Sequence, residues 1–215
     1  FRKAGGQKYR AFDYTLPADW GSSGYPLVAA AITEGSKVRF NGLDDTDFAG
    51  EKAYVDILKA MGANIEVVDG GRGGITVEGG AELRGIEIDC SGTPDAVPAL
   101  AVLGCKAKGK TVLYNISACR LKETDRAKSI MAELTKMGAK LEETNDTLTI
   151  HHSDLKGAFI DGRHDHRIVM ASSVAAMIAE GPSVITDAEF AAVSFPNYYE
   201  SMKALGASID RFQSV

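Results

Sequence analysis

One helix ending is written three times in this chain: Leu58-Lys-Ala-Met-Gly-Ala63, Leu134-Thr-Lys-Met-Gly-Ala139 and Met202-Lys-Ala-Leu-Gly-Ala207. Gly62, Gly138 and Gly206 lie 76 and 68 residues apart. A second set, Gly35, Gly109 and Gly181, falls between an Ala-rich stretch and a β-branched one at spacings of 74 and 72. Two independent markers with nearly one period define a tandem repeat of about seventy residues, which constrains the architecture more than any local propensity does. The repeats run over about 8–80, 81–153 and 154–215, and together form one domain over 1–215.

Each unit reads in the same order. In unit one an extended run near 11–16 precedes a helix near 22–33, a strand at 37–41 and a helix at 51–61. Val55, Leu58 and Met61 share one face of that second helix. Strands at 64–68 and 74–78 close the unit. Unit two gives a strand at 85–89, a helix at 95–106, a strand at 111–115, a helix at 124–137 and strands at 140–143 and 147–151. Unit three gives a strand at 157–160, a helix at 166–179, a strand at 183–186, a helix at 196–205 and a strand at 208–212. The repeated glycines act as helix C-caps, and Pro196 suits a first helical turn, where no N–H is needed. The fold class is α/β, built from three βαβαββ units of which the third lacks its last strand. That leaves a sheet edge, which folded proteins cover, so another segment is expected there.

Composition excludes several functions. Hydrophobic residues make up 45% and charged residues 25%, enough for a sizeable core in a globular protein. A net charge of -5 and a pI near 5.4 argue against a nucleic-acid surface, though not against a local basic pocket for an anionic substrate. The longest apolar run, 27–32, falls far below the roughly 18 residues of a membrane span. Cys90, Cys105 and Cys119 are odd in number and form no CxxC pair, which points to buried thiols in a reducing cytoplasm. No dinucleotide, Walker or nucleophile-elbow motif is present, so no cofactor is expected. The run Gly70-Gly-Arg-Gly-Gly74 reads as a hairpin turn. The chain opens on Phe1 with no initiator Met, as a fragment or processed product would.

The chemistry-bearing residues gather where loops enter helices. Acids there suit the positive end of a helix dipole, and Asp95, Glu123, Asp125 and Asp165 fit as caps or first-turn acids. Cations there oppose the dipole, yet Lys122 and Arg126 flank one helix start and Arg167 sits in the first turn of another. A bound phosphate or carboxylate would offset that cost. Pairing with the neighbouring acids is the alternative. His151 and His152 end a strand and His164 reads as a loop residue. Consecutive His164, Asp165 and His166 diverge on entering a helix, which argues against a metal site.

Four segments stand in one order: Thr93-Pro-Asp-Ala96, Arg120-Leu-Lys-Glu-Thr-Asp-Arg126, Asp165-His-Arg-Ile-Val-Met170 and Ser194-Phe-Pro-Asn-Tyr-Tyr199. Together they resemble the 3-phosphoshikimate 1-carboxyvinyltransferase (EPSP synthase) family over essentially the whole chain. The resemblance implies two similar domains of three βαβαββ units each, the inside-out α/β barrel of enolpyruvyl transferases, with the active site in the cleft between them. This chain matches the C-terminal half, so the partner domain and an N-terminal segment are absent. The implied reaction joins phosphoenolpyruvate to shikimate-3-phosphate.

The resemblance also implies roles. Asp95 matches a carboxylate on the shikimate-3-phosphate hydroxyls and a candidate base for the attacking 5-hydroxyl. Lys122 matches a shikimate-3-phosphate ligand, and Glu123 a proton donor and acceptor at the methylene carbon. Arg126 and Arg167 match arginines that hold phosphoenolpyruvate, with His166 close by. Two proton-transfer groups and a cationic clamp are what such an addition–elimination needs. Ala118 and Val193 depart from the family, standing where many members carry Asn and Lys. Two alternatives remain: half of a UDP-N-acetylglucosamine enolpyruvyl transferase, against which the Lys122–Arg126 segment argues, or a non-catalytic repeat module. The chain alone is expected to be inactive.

Overall fold

The computed structural model describes residues 2–212, so Phe1 and the last three residues of unit three lie outside it. Unit one comprises α1 (Trp20–Ile32), β1 (Lys37–Phe40), α2 (Ala53–Ala60), β2 (Asn64–Val67) and β3 (Ile75–Glu78). Unit two comprises β4 (Glu87–Asp89), α3 (Val97–Lys106), β5 (Lys110–Tyr114), α4 (Arg126–Lys136), β6 (Lys140–Glu143) and β7 (Thr147–His151). Unit three comprises β8 (Phe159–Ile160), α5 (His166–Met177), β9 (Val184–Ile185) and α6 (Tyr198–Ala204). The chain is α/β and the repeat is visible in it.

Among the described residues only unit two is complete. Its sheet runs β4-β5-β7-β6, with β4 parallel to β5 and β7 antiparallel to both of its neighbours. Unit one forms β1-β3-β2, and unit three only the parallel pair β8-β9. The helix endings are identical in all three. In each, the glycine N–H reaches the carbonyl three residues back and the next alanine N–H the carbonyl five back: Ala63 to Leu58, Ala139 to Leu134 and Ala207 to Met202, all at 2.9–3.0 Å. This is the Schellman closure, and the glycines stand at φ of 91°, 88° and 103°, where a side chain would be strained.

The first helix of each unit points inward. α1, α3 and α5 pack on one another, and nearly every residue of α3 is buried. A helix that is apolar all round belongs in an interior, and the Ala-rich sequences allow the three to approach closely. The sheets lie outside, each burying one face: β3 buries Ile75 and Val77, and β7 buries Leu148 and Ile150. Helices within and sheets without is the inside-out arrangement.

Some expected elements form differently. Residues 11–16 make no strand, and Phe12, Tyr14 and Leu16 stay 80%, 70% and 80% exposed. Alternation supplies an apolar face but not a partner: β1 pairs only with β3, and the nearest tie is the Ala18 N–H to the Gly42 carbonyl at 2.8 Å. Residues 208–212 also form no strand. In unit two, β6 pairs only with β7, and among the described residues unit three has no β7 equivalent. In its place a groove of about 1760 Å³ runs between β9 and residues 207–212, floored by Ala29 and Ala30 of α1 and by Ala176 and Met177 of α5.

Pro196 does not open α6. The Tyr198 N–H bonds the Phe195 carbonyl at 3.0 Å, which makes Pro196 the second residue of a β-turn, where its fixed φ is equally at home. The helices expected from 51, 95 and 124 begin later, the first two after 3-10 turns (Gly50–Lys52 and Pro94–Ala96) and the third at Arg126. The Gly70–Gly74 run links antiparallel β2 and β3 as a hairpin.

Candidate active site

Three helix entrances meet at one carboxylate. Asp95 lies in the 3-10 turn ahead of α3, Arg126 is the first residue of α4, and Arg167 is the second residue of α5. Nη1 of Arg126 is 2.8 Å from Oδ1 of Asp95, Nη2 of Arg167 is 3.3 Å from Oδ2, and Nζ of Lys122 is 3.1 Å from Oδ1. All the sequence-picked cations therefore converge. Of the acids expected as caps or first-turn acids, Asp125 accepts the Lys128 N–H at 3.1 Å and Asp165 the Arg167 N–H at 2.9 Å. Asp95 makes no cap bond and Glu123 lies ahead of the α4 cap, both pairing with cations instead.

Arg126 sits at the centre, with a side chain only 2% exposed. Its Nε donates to Oδ2 of the fully buried Asp165 at 2.9 Å, its Nη1 to Asp95 and its Nη2 to Glu123. Thr124 donates to the same Asp165 oxygen at 3.0 Å. A buried guanidinium is tolerated only when paired in this way, and three carboxylates pair it. Above it the accessible groups are Lys122, Glu123 and Asp95, at 33%, 47% and 24% exposure. Nδ1 of His166 lies 3.6 Å from Oε1 of Glu123.

The electrostatics follow from this packing. Burial alone would raise Asp95, but Arg167, Lys122 and Arg126 overcome it and hold the carboxyl below its usual value. Burial likewise opposes, and the Arg126 hydrogen bond outweighs, to keep Asp165 ionised. Burial and then the charges of Arg167 and Arg126 push His166 down, which favours the neutral imidazole. Burial works against the Arg167 cation, yet its surroundings raise its pKa further. Its Nε is buried without a hydrogen-bond partner among the described residues.

A family model, EPSP synthase (3-phosphoshikimate 1-carboxyvinyltransferase), matches residues 1–202. The chain belongs to the EPSP synthase family. The 3-phosphoshikimate 1-carboxyvinyltransferase of Methanococcoides burtonii is 46% identical over 205 residues, covering 95% of this chain and 47% of the relative. That of Ruminiclostridium cellulolyticum is 45% identical over 206 residues, covering 96% and 48%. The chain thus spans about half the length of the curated relatives it matches. Among solved structures, EPSP synthase from Acinetobacter baumannii aligns with a TM-score of 0.82 at 30% identity, over 92% of this chain and 48% of that one. The enolpyruvyl transferase NikO from Streptomyces tendae shares the fold, at a TM-score of 0.70 and 20% identity over 92% and 45%.

Several residues that sequence reasoning passed over belong to the same cluster. Asp19 caps α1 through the Gly21 and Ser22 N–H groups, at 2.9 and 3.1 Å. Gly21 lies beneath Arg167: its carbonyl is 3.4 Å from Nη1, and a Cβ there would stand 3.3 Å from Nη2. Tyr25 is buried beside them, its hydroxyl pushed up to about 12 by burial against the pull of Arg167. The repeat held the signal, because Asp19 precedes the first helix of unit one as Asp165 precedes that of unit three.

The remaining candidates make no bond to Asp95, Arg126 or Arg167 among the described residues. Ala118 is exposed, and Val193 ends a 3-10 run (Ala188–Val193), also exposed. His151 pairs with Glu142 at 3.1 Å and His164 with Asp187 at 3.7 Å. Burial pushes Cys90 and Cys105 up to about 12 and Cys119 to about 11, so none presents a reactive thiolate. No group of three metal-ligating side chains is assembled among the described residues, and no helix is long and apolar enough to cross a membrane.

Proposed function

We propose that this chain is the C-terminal domain of an enzyme transferring the enolpyruvyl group of phosphoenolpyruvate to the 5-hydroxyl of shikimate-3-phosphate, with release of phosphate. Residues 1–215 make up one of its two domains, and the other completes the cleft. The observation that carries this reading is Asp95 receiving Arg126, Arg167 and Lys122 together. Three cations at helix entrances form a preassembled seat for an anion, and the Asp95 carboxylate lies against all three.

The chemistry follows from displacing Asp95. Arg167 and Arg126 turn to the carboxylate and phosphate of phosphoenolpyruvate, a planar match that arginine makes better than lysine. Lys122 turns to shikimate-3-phosphate. Relieved of its cations, Asp95 regains proton affinity and is placed to take the proton of the 5-hydroxyl. Glu123 protonates the methylene carbon, the hydroxyl oxygen adds to the adjacent carbon, and a tetrahedral intermediate forms. Loss of a methyl proton back to Glu123 then restores the double bond as the C–O bond to phosphate breaks, and the proton taken up by Asp95 leaves with the phosphate. His166, whose neutral form is favoured, stands 3.6 Å from Glu123 and borders the carboxylate that exchanges the proton. No cofactor is required, and a cytoplasmic setting suits both substrates.

The test is phosphate release from this chain reassembled with the N-terminal half of a relative. Sustained release with phosphoenolpyruvate and shikimate-3-phosphate is expected, and none from the chain alone, because closure of two domains is what excludes water. Release with UDP-N-acetylglucosamine as the acceptor instead would move the chain to the other enolpyruvyl transferase.

A further inference from the structure

We infer that Glu133 and Arg163, which touch none of the site residues directly, are positioning residues that set the spacing of Arg126 and Arg167. The inference rests on the anion-site reading above. Glu133 lies on α4, two turns beyond Arg126, with a fully buried carboxylate. Its Oε1 accepts Nε and Nη2 of Arg163 at 3.0 and 2.8 Å, and its Oε2 accepts the Asp161 N–H at 3.0 Å and Lys136 Nζ at 2.6 Å. A buried carboxylate with every contact charge-assisted or from backbone gives little surplus stability, but it admits only one geometry.

That geometry is imposed on the loop entering α5. Arg163 and His164 are consecutive non-glycine residues in the left-handed region, at φ of 55° and 52°. Such a pair persists only where its surroundings dictate it. Glu133 holds one side of the loop through Arg163 and Asp161. On the other side Asp187 accepts the His164 N–H at 3.2 Å, and Thr186 Oγ1 the Gly162 N–H at 3.1 Å. The next residue is Asp165, the cap of α5 and the partner of Arg126 Nε. The starts of α4 and α5 are therefore tied twice: directly through Arg126 and Asp165, and from behind through Glu133 and Arg163. With the second tie cut, Asp165 and Arg167 are free to shift relative to Arg126.

Arg163→Gln tests this in the chain itself, since Arg163 is partly exposed and the buried Glu133 keeps Lys136 and the Asp161 N–H as partners. Nitrogen-15 NMR reads the Arg126 Nε–H, protected by its bond to Asp165, and titration with inorganic phosphate reads anion affinity. We expect at least tenfold faster exchange of that N–H and phosphate affinity lower by about 10- to 10²-fold, the scale of small misplacements. Arg163→Lys, which keeps a cation opposite Glu133, should recover most of both, and Arg163→Met, which keeps the stem but removes the charge, is read instead if Arg163→Gln does not fold. An unchanged Arg126 N–H overturns the inference, as does a lower melting temperature with signal and affinity intact, which is how a merely structural pair behaves. Faster exchange in a chain whose wild type binds no phosphate upholds the positioning role and removes the anion-site reading instead.

Discussion

Asp165 accepts the Nε–H of Arg126 at 2.9 Å, and both side chains are buried. This single bond joins the N-terminal ends of α4 and α5, which come from different repeats. It also explains why a cation is tolerated at the start of α4. Arg126 does not face an unscreened helix dipole; it lies inward, where the cap of the neighbouring helix neutralises it.

Asp165→Asn should therefore act on stability before activity. Asparagine can still cap α5, but Arg126 loses its innermost countercharge. Breaking a buried pair costs about 3–5 kcal/mol, and the carboxylates of Asp95 and Glu123 keep the loss near the lower figure. At roughly 2–4 °C per kcal/mol for a domain this size, the melting midpoint should fall by about 6–12 °C. The pH dependence has a definite sign. The folded Asp165 pKa is lowered, so its contribution is present above the ordinary carboxyl value and is lost as pH falls below it. Scanning calorimetry from pH 7 to pH 3 should show the difference between wild type and variant shrinking at the acid end. A constant difference would mean that Asp165 does not act as a charge.

His166 should titrate below the usual histidine value of about 6.5 in the free chain. Its neutral form is favoured by burial and by Arg167 and Arg126, so acidification through this range costs stability. An anion seated on the two arginines would cancel part of their charge and move the midpoint upward. Proton NMR of the imidazole, with and without inorganic phosphate, measures both. A midpoint above 6.5, or one that phosphate lowers, would contradict the arrangement.

Gly24→Ala tests the close approach of α1 and α2. A Cβ at Gly24 would lie 2.2 Å from the ring of Tyr54, itself fully buried. Overpacking of a tight core costs about 1–3 kcal/mol, so the midpoint should drop by several degrees even though alanine is the better helix former. Adding Tyr54→Leu should recover part of the loss. A variant as stable as wild type would show that the two helices have room to part.

The repeats were legible in the sequence because the glycines of the helix ends are tied to one backbone conformation. Gly62, Gly138 and Gly206 all close the same two hydrogen bonds. The convergence at Asp95 was legible in part, since Lys122, Arg126 and Arg167 stood where the dipole disfavours them. The depth of Arg126 was not, because exposure depends on which neighbours arrive from distant segments: Asp95 is 31 residues away and Asp165 is 39. Strands were hardest to place. Residues 11–16 and 208–212 carry strand-like patterns, yet a strand exists only beside a partner, and pairing is not written in either segment alone. Glu133 gave no local signal. A glutamate in mid-helix reads as a solvated residue until the loop holding Arg163 is folded against it.

The last prediction concerns Glu123, the most exposed acid of the cluster, with Arg126 on one side and His166 on the other. Glu123→Gln keeps the shape of the side chain and an acceptor for Arg126 Nη2, but removes the group that carries a proton. If Glu123 transfers protons at the methylene carbon, turnover of the reassembled enzyme should fall by about 10²–10⁴-fold. Thermal stability should barely change, because a half-exposed acid near a helix start contributes only about 0.3–1 kcal/mol. The two roles separate in two measurements on one variant, a turnover number and a melting midpoint. Lost turnover in a protein that melts normally assigns the proton step to this carboxylate. Normal turnover in a slightly less stable protein would leave Glu123 as a partner of Arg126 and nothing more, and the proton donor would have to be sought in the other domain.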